Sequence, residues 1–261
     1  MSTSNHAALA GFLKRLLMRS RLSADEQDAV LSLKSEAFQV AARRDLVFPG
    51  QTVKFSTLVG DGLLGRFDQM RDGRRQITAF HIGGDMCDLY SVVAPTTGWG
   101  ITALSTSLVY HIAHADLRRV ATAYPNLAMA FWRDTTADAS ILAKWVVNVG
   151  RKDAQSRVAH LLCEMGMRME LAGLAPRSSY PLCINQEQIG DAMGLTTVHV
   201  NRSLQALKRS GAVSFQRHQV EIHDWDQLAS MADFVPTFML LDEGAQEAGH
   251  DEGRSDSDCS N

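Results

Sequence analysis

Residues 184–213, INQEQIGDAMGLTTVHVNRSLQALKRSGAV, decide the reading of this chain. Asn185 and Gln186 open a short amphipathic helix with Ile189, Ala192 and Met193 on its apolar side. Gly194 ends it, because a tight turn wants a residue free at positive φ. Leu195 plugs the corner, and Thr196 caps a second helix whose buried face carries Val200, Leu204 and Leu207. The first turns of that helix expose Thr197, His199, Asn201 and Arg202, short polar donors followed by a guanidinium that can fork onto guanine O6 and N7. From 196 to 218 there are four basic residues, Arg202, Lys208, Arg209 and Arg217, and no acid. A polyanion suits such a stretch. Gly211 ends the second helix, and AVSFQRHQVEIHD then alternates through Val213, Phe215, Val220 and Ile222. That is a hairpin turning at Arg217-His218, the wing of a winged helix.

Composition agrees once the charges are placed. The 261 residues suffice for two domains with real cores. The net charge of −3 misleads, because residues 242–261 carry seven acids against Arg254, a net of −6 that leaves +3 for the rest. That acidic, Gly- and Ser-rich tail is expected to be disordered. No apolar run approaches the length that spans a membrane, and Leu9 to Leu17 is broken by Lys14 and Arg15, unlike a secretory leader. A cytoplasmic location is expected by default. Cys87, Cys163, Cys183 and Cys259 are far apart, so the spacing signals no metal site and no iron–sulfur cluster.

Working outward, residues 1–35 read as N-terminal helices, with Ser23-x-x-Glu26 forming a capping box. Residues 36–115 read as short strands separated by Pro-Gly, Gly-Asp-Gly, Asp-Gly and Gly-Gly turns, an antiparallel roll. Residues 116–151 contain a long helix opened by Pro125. Along it Ala128, Trp132, Thr135, Ala139, Leu142, Val146 and Val149 recur at alternating spacings of four and three, an a/d seam that suits a second copy of the chain. Residues 152–232 form the winged-helix domain, with Asp153 capping its first helix and 173–181 as a loop. The fold class is thus α+β: an N-terminal antiparallel, jelly-roll-like β-roll, a long dimerisation helix and a C-terminal winged helix-turn-helix.

This order resembles the Crp/Fnr family of bacterial transcription regulators over about residues 36–230. The motifs that carry the resemblance are Asp153-x-x-x-Arg157-Val158-Ala159, Ile189-Gly190-x-x-x-Gly194-Leu195-Thr196, Val200-x-Arg202 and Gly84-Asp85 before a short helical cassette. The resemblance implies a homodimer on double-stranded DNA, with RNA polymerase as second partner. Arg202 is then the residue for direct base readout, supported by Thr197, Val198 and His199; Thr196, Asn201, Lys208, Arg217 and His218 hold phosphates or set register. Val198 stands where the family typically has an acid. A valine cannot accept from cytosine N4 but can touch a thymine methyl. A gapless match from Gly84-Asp85 puts Leu89, Trp99 and Gly100 at the family's sugar- and phosphate-holding positions, and Leu142 and Ala143 at its adenine-contacting pair. With no cation left for a buried phosphate, cyclic AMP is not the expected effector. The pocket is empty, filled by Trp99 and its neighbours, or fitted to a different and more apolar small molecule. No cofactor is expected: the cysteine cluster of iron–sulfur members is absent, and His81, His111 and His114 read as ordinary roll histidines rather than haem ligands. Cys87 is a candidate redox-sensitive thiol whose bland alternative is a packed apolar cysteine.

Two rivals remain. Gly60-Asp-Gly62-Leu-Leu-Gly65 matches a dinucleotide-binding pattern but is followed by LGRFDQMRDG, another strand and hairpin, where that site needs a helix. No nucleophile or acid–base motif argues for an enzyme. The other rival is a dimeric ligand- or protein-binding module with a retired winged helix. Such a helix should lose its basic, acid-free face, and this one keeps Arg202, Lys208 and Arg209.

Overall fold

The computed structural model describes residues 3–241. The acidic tail and Cys259 lie outside them. Helix α1 (Thr3–Leu17) and α2 (Ala24–Leu31) precede the roll. Ser23 caps α2 through the anticipated box: its hydroxyl accepts from Glu26 N, and Ser23 N donates to Glu26 Oε2 at 2.8 Å. The expected short strands follow as β1 (Glu36–Val40), β2 (Asp45–Val47), β3 (Phe55–Asp61), β4 (Leu64–Gln69), β5 (Arg75–His81), β6 (Gly100–Ala103) and β7 (Ser107–Ala113). They form two antiparallel sheets, ordered β1-β7-β3 and β2-β6-β4-β5. Val47, Val59, Leu64, Ile101 and Val109 pack between them. Between β5 and β6 the chain makes a short 3-10 turn, Leu89–Val92.

Next come α3 (His114–Ala123), the 27-residue α4 (Pro125–Arg151), α5 (Ala154–Ala172), β8 (Ser179–Pro181), α6 (Gln186–Met193), α7 (Thr197–Arg209), β9 (Val213–Gln216), β10 (Gln219–Ile222) and α8 (Trp225–Ala232). Two expectations need correcting. The stretch 173–181 is not all loop, because Ser179–Pro181 pairs with β10 and completes a three-stranded wing sheet, β8-β10-β9. The chain also does not leave the domain at 232. Phe234, Phe238 and Met239 fold back into the core, and Met239 O accepts from Arg19 Nε at 3.0 Å.

The roll and the winged helix share one hydrophobic core. Ile77, Phe80 and Ile82 of the roll belong to the same cluster as Leu161, Met165, Ile189 and Met193. Helix α4 runs along both. It buries Leu127, Phe131, Asp134, Ala137, Ile141, Trp145 and Asn148 against its own chain, a stripe of helical period. The seam anticipated from sequence is the adjacent face: Ala128, Thr135, Leu142 and Val149 are half-buried, while Trp132, Ala139 and Val146 are exposed.

A buried ion network ties these elements together. The Arg15 guanidinium gives Nη1 to Asp85 at 2.5 Å, Nε to Asp134 at 2.6 Å and Nη2 to Asp138 at 2.7 Å. Arg168 closes on Asp85 from the other side at 2.6 Å and donates to Phe80 O at 2.8 Å. Its Nη1 lies 3.3 Å from Glu164, whose other oxygen accepts from Trp145 Nε1 at 2.7 Å. Burial alone would raise the Asp85 carboxyl, but the charges of Arg15 and Arg168 outweigh it and hold the group down at about 2.

Asp88 has no such partner. Its Oδ1 accepts from Thr57 N at 2.6 Å, its Oδ2 finds no donor among the described residues, and burial raises its pKa from 3.8 to about 7. A carboxyl raised on folding stabilises below its unfolded pKa and loses that contribution as the pH climbs through the folded one. Asp88→Asn is therefore expected to gain stability relative to the parent as the pH rises from 4 to 7, and to hold the gain above 8. Paired urea titrations across that range check this; a pH-independent difference would contradict the uncharged burial of Asp88.

Candidate nucleic-acid interface

The presenting unit is built by local rules. Asn185 caps α6: its side chain accepts from Gln188 N at 2.9 Å, and Gln188 Oε1 accepts from Asn185 N at 2.9 Å. Gly194 ends the helix at φ 64°. The turn is tight enough that a Cβ on Gly190 would sit 2.5 Å from Leu195 O, so α6 crosses this corner only with a glycine there. Thr196 then caps α7, accepting from His199 N at 3.3 Å, with its hydroxyl also 3.0 Å from His199 Nδ1. The buried face of α7 is Val200, Ser203 and Leu207, and Leu204 is only half-buried. Ser203 is small enough for the close approach that sequence periodicity had given to Leu204.

The opposite face presents Thr197, Val198, His199, Asn201, Arg202, Lys208 and Arg209 to solvent. Val198 is 57% exposed, an apolar side chain set among polar ones. Asn201 reaches back to Gln186 Oε1 at 3.4 Å, so it joins the two helices as well as facing outward. Thr196 is engaged by its own cap.

The wing turns at Arg217 and His218, with Gln216 opposite Gln219 in register. Both residues sit at positive φ, 51° and 62°, the backbone of a type I′ turn that usually asks for Asn-Gly. The tip is tied down by Leu182 N donating to His218 O at 2.8 Å and by His218 Nδ1 lying 3.2 Å from Ile184 O. Of the two, Arg217 has no polar partner among the described residues and is the free cation. Arg157, quoted in the hinge-side motif without a role of its own, donates from Nε to Lys152 O at 2.8 Å and from Nη1 to Met193 O at 3.2 Å. It joins the C-terminal ends of α4 and α6, the junction between long helix and DNA-facing unit.

The expected effector positions lie inside the roll and along α4. Leu89 is 5% exposed and belongs to the core under α1 and α4. The Phe67 ring covers Gly100, where a Cβ would approach it to 2.5 Å. The Trp99 indole packs edge-on to Tyr90 at 5.2 Å between ring centres, with Arg66 5.2 Å over its face. Leu142 is half-buried and Ala143 exposed on α4. One expectation fails: a cation does remain here, because Arg66 is only 5% exposed and its one hydrogen bond, to Thr78, is long at 3.4 Å. It comes from β4 rather than from the cassette, which is why cassette matching missed it.

The reactive reading of Cys87 is corrected. Its side chain is buried, and burial followed by the charges of Asp88 and Asp85 holds the thiol well above its usual value, the reverse of a redox-poised thiolate. His114 Nε2 lies 2.8 Å from Ser91 Oγ, and His111 is stacked on Phe55 at 3.7 Å. His81 is 2% exposed, and burial lowers it to about 4.

A β-roll carried on a long helix and fused to a winged helix-turn-helix is the architecture of a DNA-binding regulator. Residues 156–231 match the family model described as a Crp-like helix-turn-helix domain. The chain is 23% identical over 220 residues to the fumarate and nitrate reduction regulatory protein of Escherichia coli strain K12, covering 84% of this chain and 88% of that one. Its fold resembles FixK2 from Bradyrhizobium japonicum with a TM-score of 0.71 and 26% identity, over 78% of this chain and all 100% of that one. It also resembles a putative cAMP-binding regulatory protein from Silicibacter pomeroyi, with a TM-score of 0.61 and 19% identity, over 87% and 99% of the two chains. The chain thus carries a Crp-like helix-turn-helix domain and is similar over most of its length to transcription regulators of the Crp/Fnr type.

Gly190→Ala tests the corner. The added methyl must displace Leu195 O, so a loss of about 1–3 kcal/mol is expected in chemical denaturation. DNA affinity should fall with it. Unchanged stability would mean that the turn is looser than described.

Proposed function

We propose that the chain acts as a cytoplasmic homodimer that reads a palindromic operator through α7, without control by cyclic AMP. The observation that carries this reading is the outward face of α7, where Arg202 stands free of any acid beside exposed Thr197, Val198 and His199. Arg202 forks onto a guanine and Val198 packs on a thymine methyl, while Lys208 and Arg217 hold phosphates. His218, Asn201 and Thr196, each already engaged within the chain, set register. The described residues contain no helix long and apolar enough to cross a membrane. RNA polymerase is the second partner, by analogy with the family.

Dimerisation is supported by the face of α4 that the chain leaves uncovered, with Trp132 66% and Val146 67% exposed. Two such helices packed along 128–149 would set their α7 helices into successive major grooves, about 34 Å apart. Against cyclic AMP stand the burial of Leu89, the Phe67 ring over Gly100 and the absence of a cassette arginine. The Arg66 cation leaves room for an effector of other chemistry.

On the operator that the parent selects, Arg202→Ala should weaken binding by about 1–3 kcal/mol and relax discrimination at one base pair. A variant that keeps the parent's base preference would sink the assignment. Trp132→Glu with Val146→Glu should convert the dimer to monomers in sedimentation and lower operator affinity; a dimer that survives both charges has its interface elsewhere.

A further inference from the structure

A groove of about 800 Å³ lies outside the roll and away from the DNA-facing surface, where the end of α1 meets the first half of α4. Its cations are Arg19, Arg21 and Arg133, and its apolar wall is Trp132 and Met129. This volume is in the range of a small-molecule site.

Its charges are only partly compensated. Arg15, one turn before Arg19, already engages Asp85, Asp134 and Asp138. The Arg19 side chain is 8% exposed; its Nε donates to Met239 O at 3.0 Å and its Nη1 stands 3.8 Å from Asp134, with no hydrogen-bond partner for Nη1 among the described residues. Burial, and then repulsion from Arg15, lowers its pKa to about 10. Arg133 donates to Ser20 Oγ at 3.3 Å and meets no acid. Arg21 is exposed, with no ion pair among the described residues. Three guanidiniums line one groove with a single carboxylate, Asp134, paired to one of them at 3.8 Å, an excess of positive charge that attracts an anion.

We infer that this groove binds an organic phosphate of nucleotide size, its phosphates held by Arg19, Arg21 and Arg133 and its planar base laid on Trp132. Guanidinium forks match phosphate oxygens in pairs, and an exposed indole offers the face a base needs. The site is distinct from the DNA-reading surface: along α4, Arg133 lies about 24 Å from Val149, the residue that packs under Gly194. In the proposed dimer Trp132 lies on the seam, so a bound nucleotide would also touch the partner helix and bias the dimer.

Calorimetric titration of the full chain, without DNA, tests this with ATP, GTP and CTP against adenosine and inorganic phosphate. The expected result is one triphosphate per protomer and at least about tenfold weaker binding of adenosine. Arg21→Ala with Arg133→Ala should weaken the triphosphate by a similar factor, and Arg66→Ala should leave it unchanged. Both outer arginines lie at the surface, and a melting curve confirms the folded variant. The inference is overturned by no binding at millimolar triphosphate, by binding indifferent to the paired change, or by binding lost in Arg66→Ala, which would place the anion in the roll.

Discussion

The buried ion network that joins the parts of this molecule centres on Asp85. That residue sits at the start of the cassette, 4% exposed, between Arg15 from α1 and Arg168 from α5. Asp134 and Asp138 on α4 complete the set around Arg15. Removing one partner from such a set costs about 3–5 kcal/mol, because it strands the others as buried unpaired charge. The same geometry specifies orientation: apolar packing between roll and winged helix would tolerate sliding, whereas three carboxylates around Arg15, one of them shared with Arg168, fix where α1, α4 and α5 stand.

That constraint sets how the DNA-facing unit is held. Gln76 on β5 donates to Ala192 O at 3.0 Å, and Arg157 links the ends of α4 and α6. The α6–α7 pair is thereby fixed to both roll and long helix, and any change that rotates α4 or the cassette must move it. The cassette is where Asp85, the 3-10 turn and Trp99 meet. A signal at the roll thus has a short mechanical route to α7, through packed side chains and ion pairs rather than through a loop.

Much of this was legible because it follows local rules. Caps at Ser23, Asn185, Thr196 and Asp153, the stops at Gly194 and Gly211, and the seven strands between turn signals follow from a few neighbouring residues each. What was not legible depends on distant partners. Arg15 falls on the apolar side of α1 beside Phe12 and Leu16, and a cation at a core position is a hint of burial, but nothing local names Asp85. Strand β8 is three residues long and exists because β10 offers an edge. The periodicity of α4 holds two stripes one position apart; sequence marked the uncovered one and missed the one that the chain buries. Arg66 escaped notice because the cassette was matched and β4 was read only as a strand. Phe234 and Phe238 were a readable signal, two aromatic side chains just past the presumed domain end.

As proposed, α7 reads sequence as part of a dimer that needs no cyclic nucleotide. The most direct test is selection of bound fragments from genomic DNA by the purified, effector-free chain, read by sequencing. One palindromic motif with half-sites a helical turn apart is the expected result. Fragments enriched without any shared motif, or a motif that emerges only when cyclic AMP is added, would contradict it.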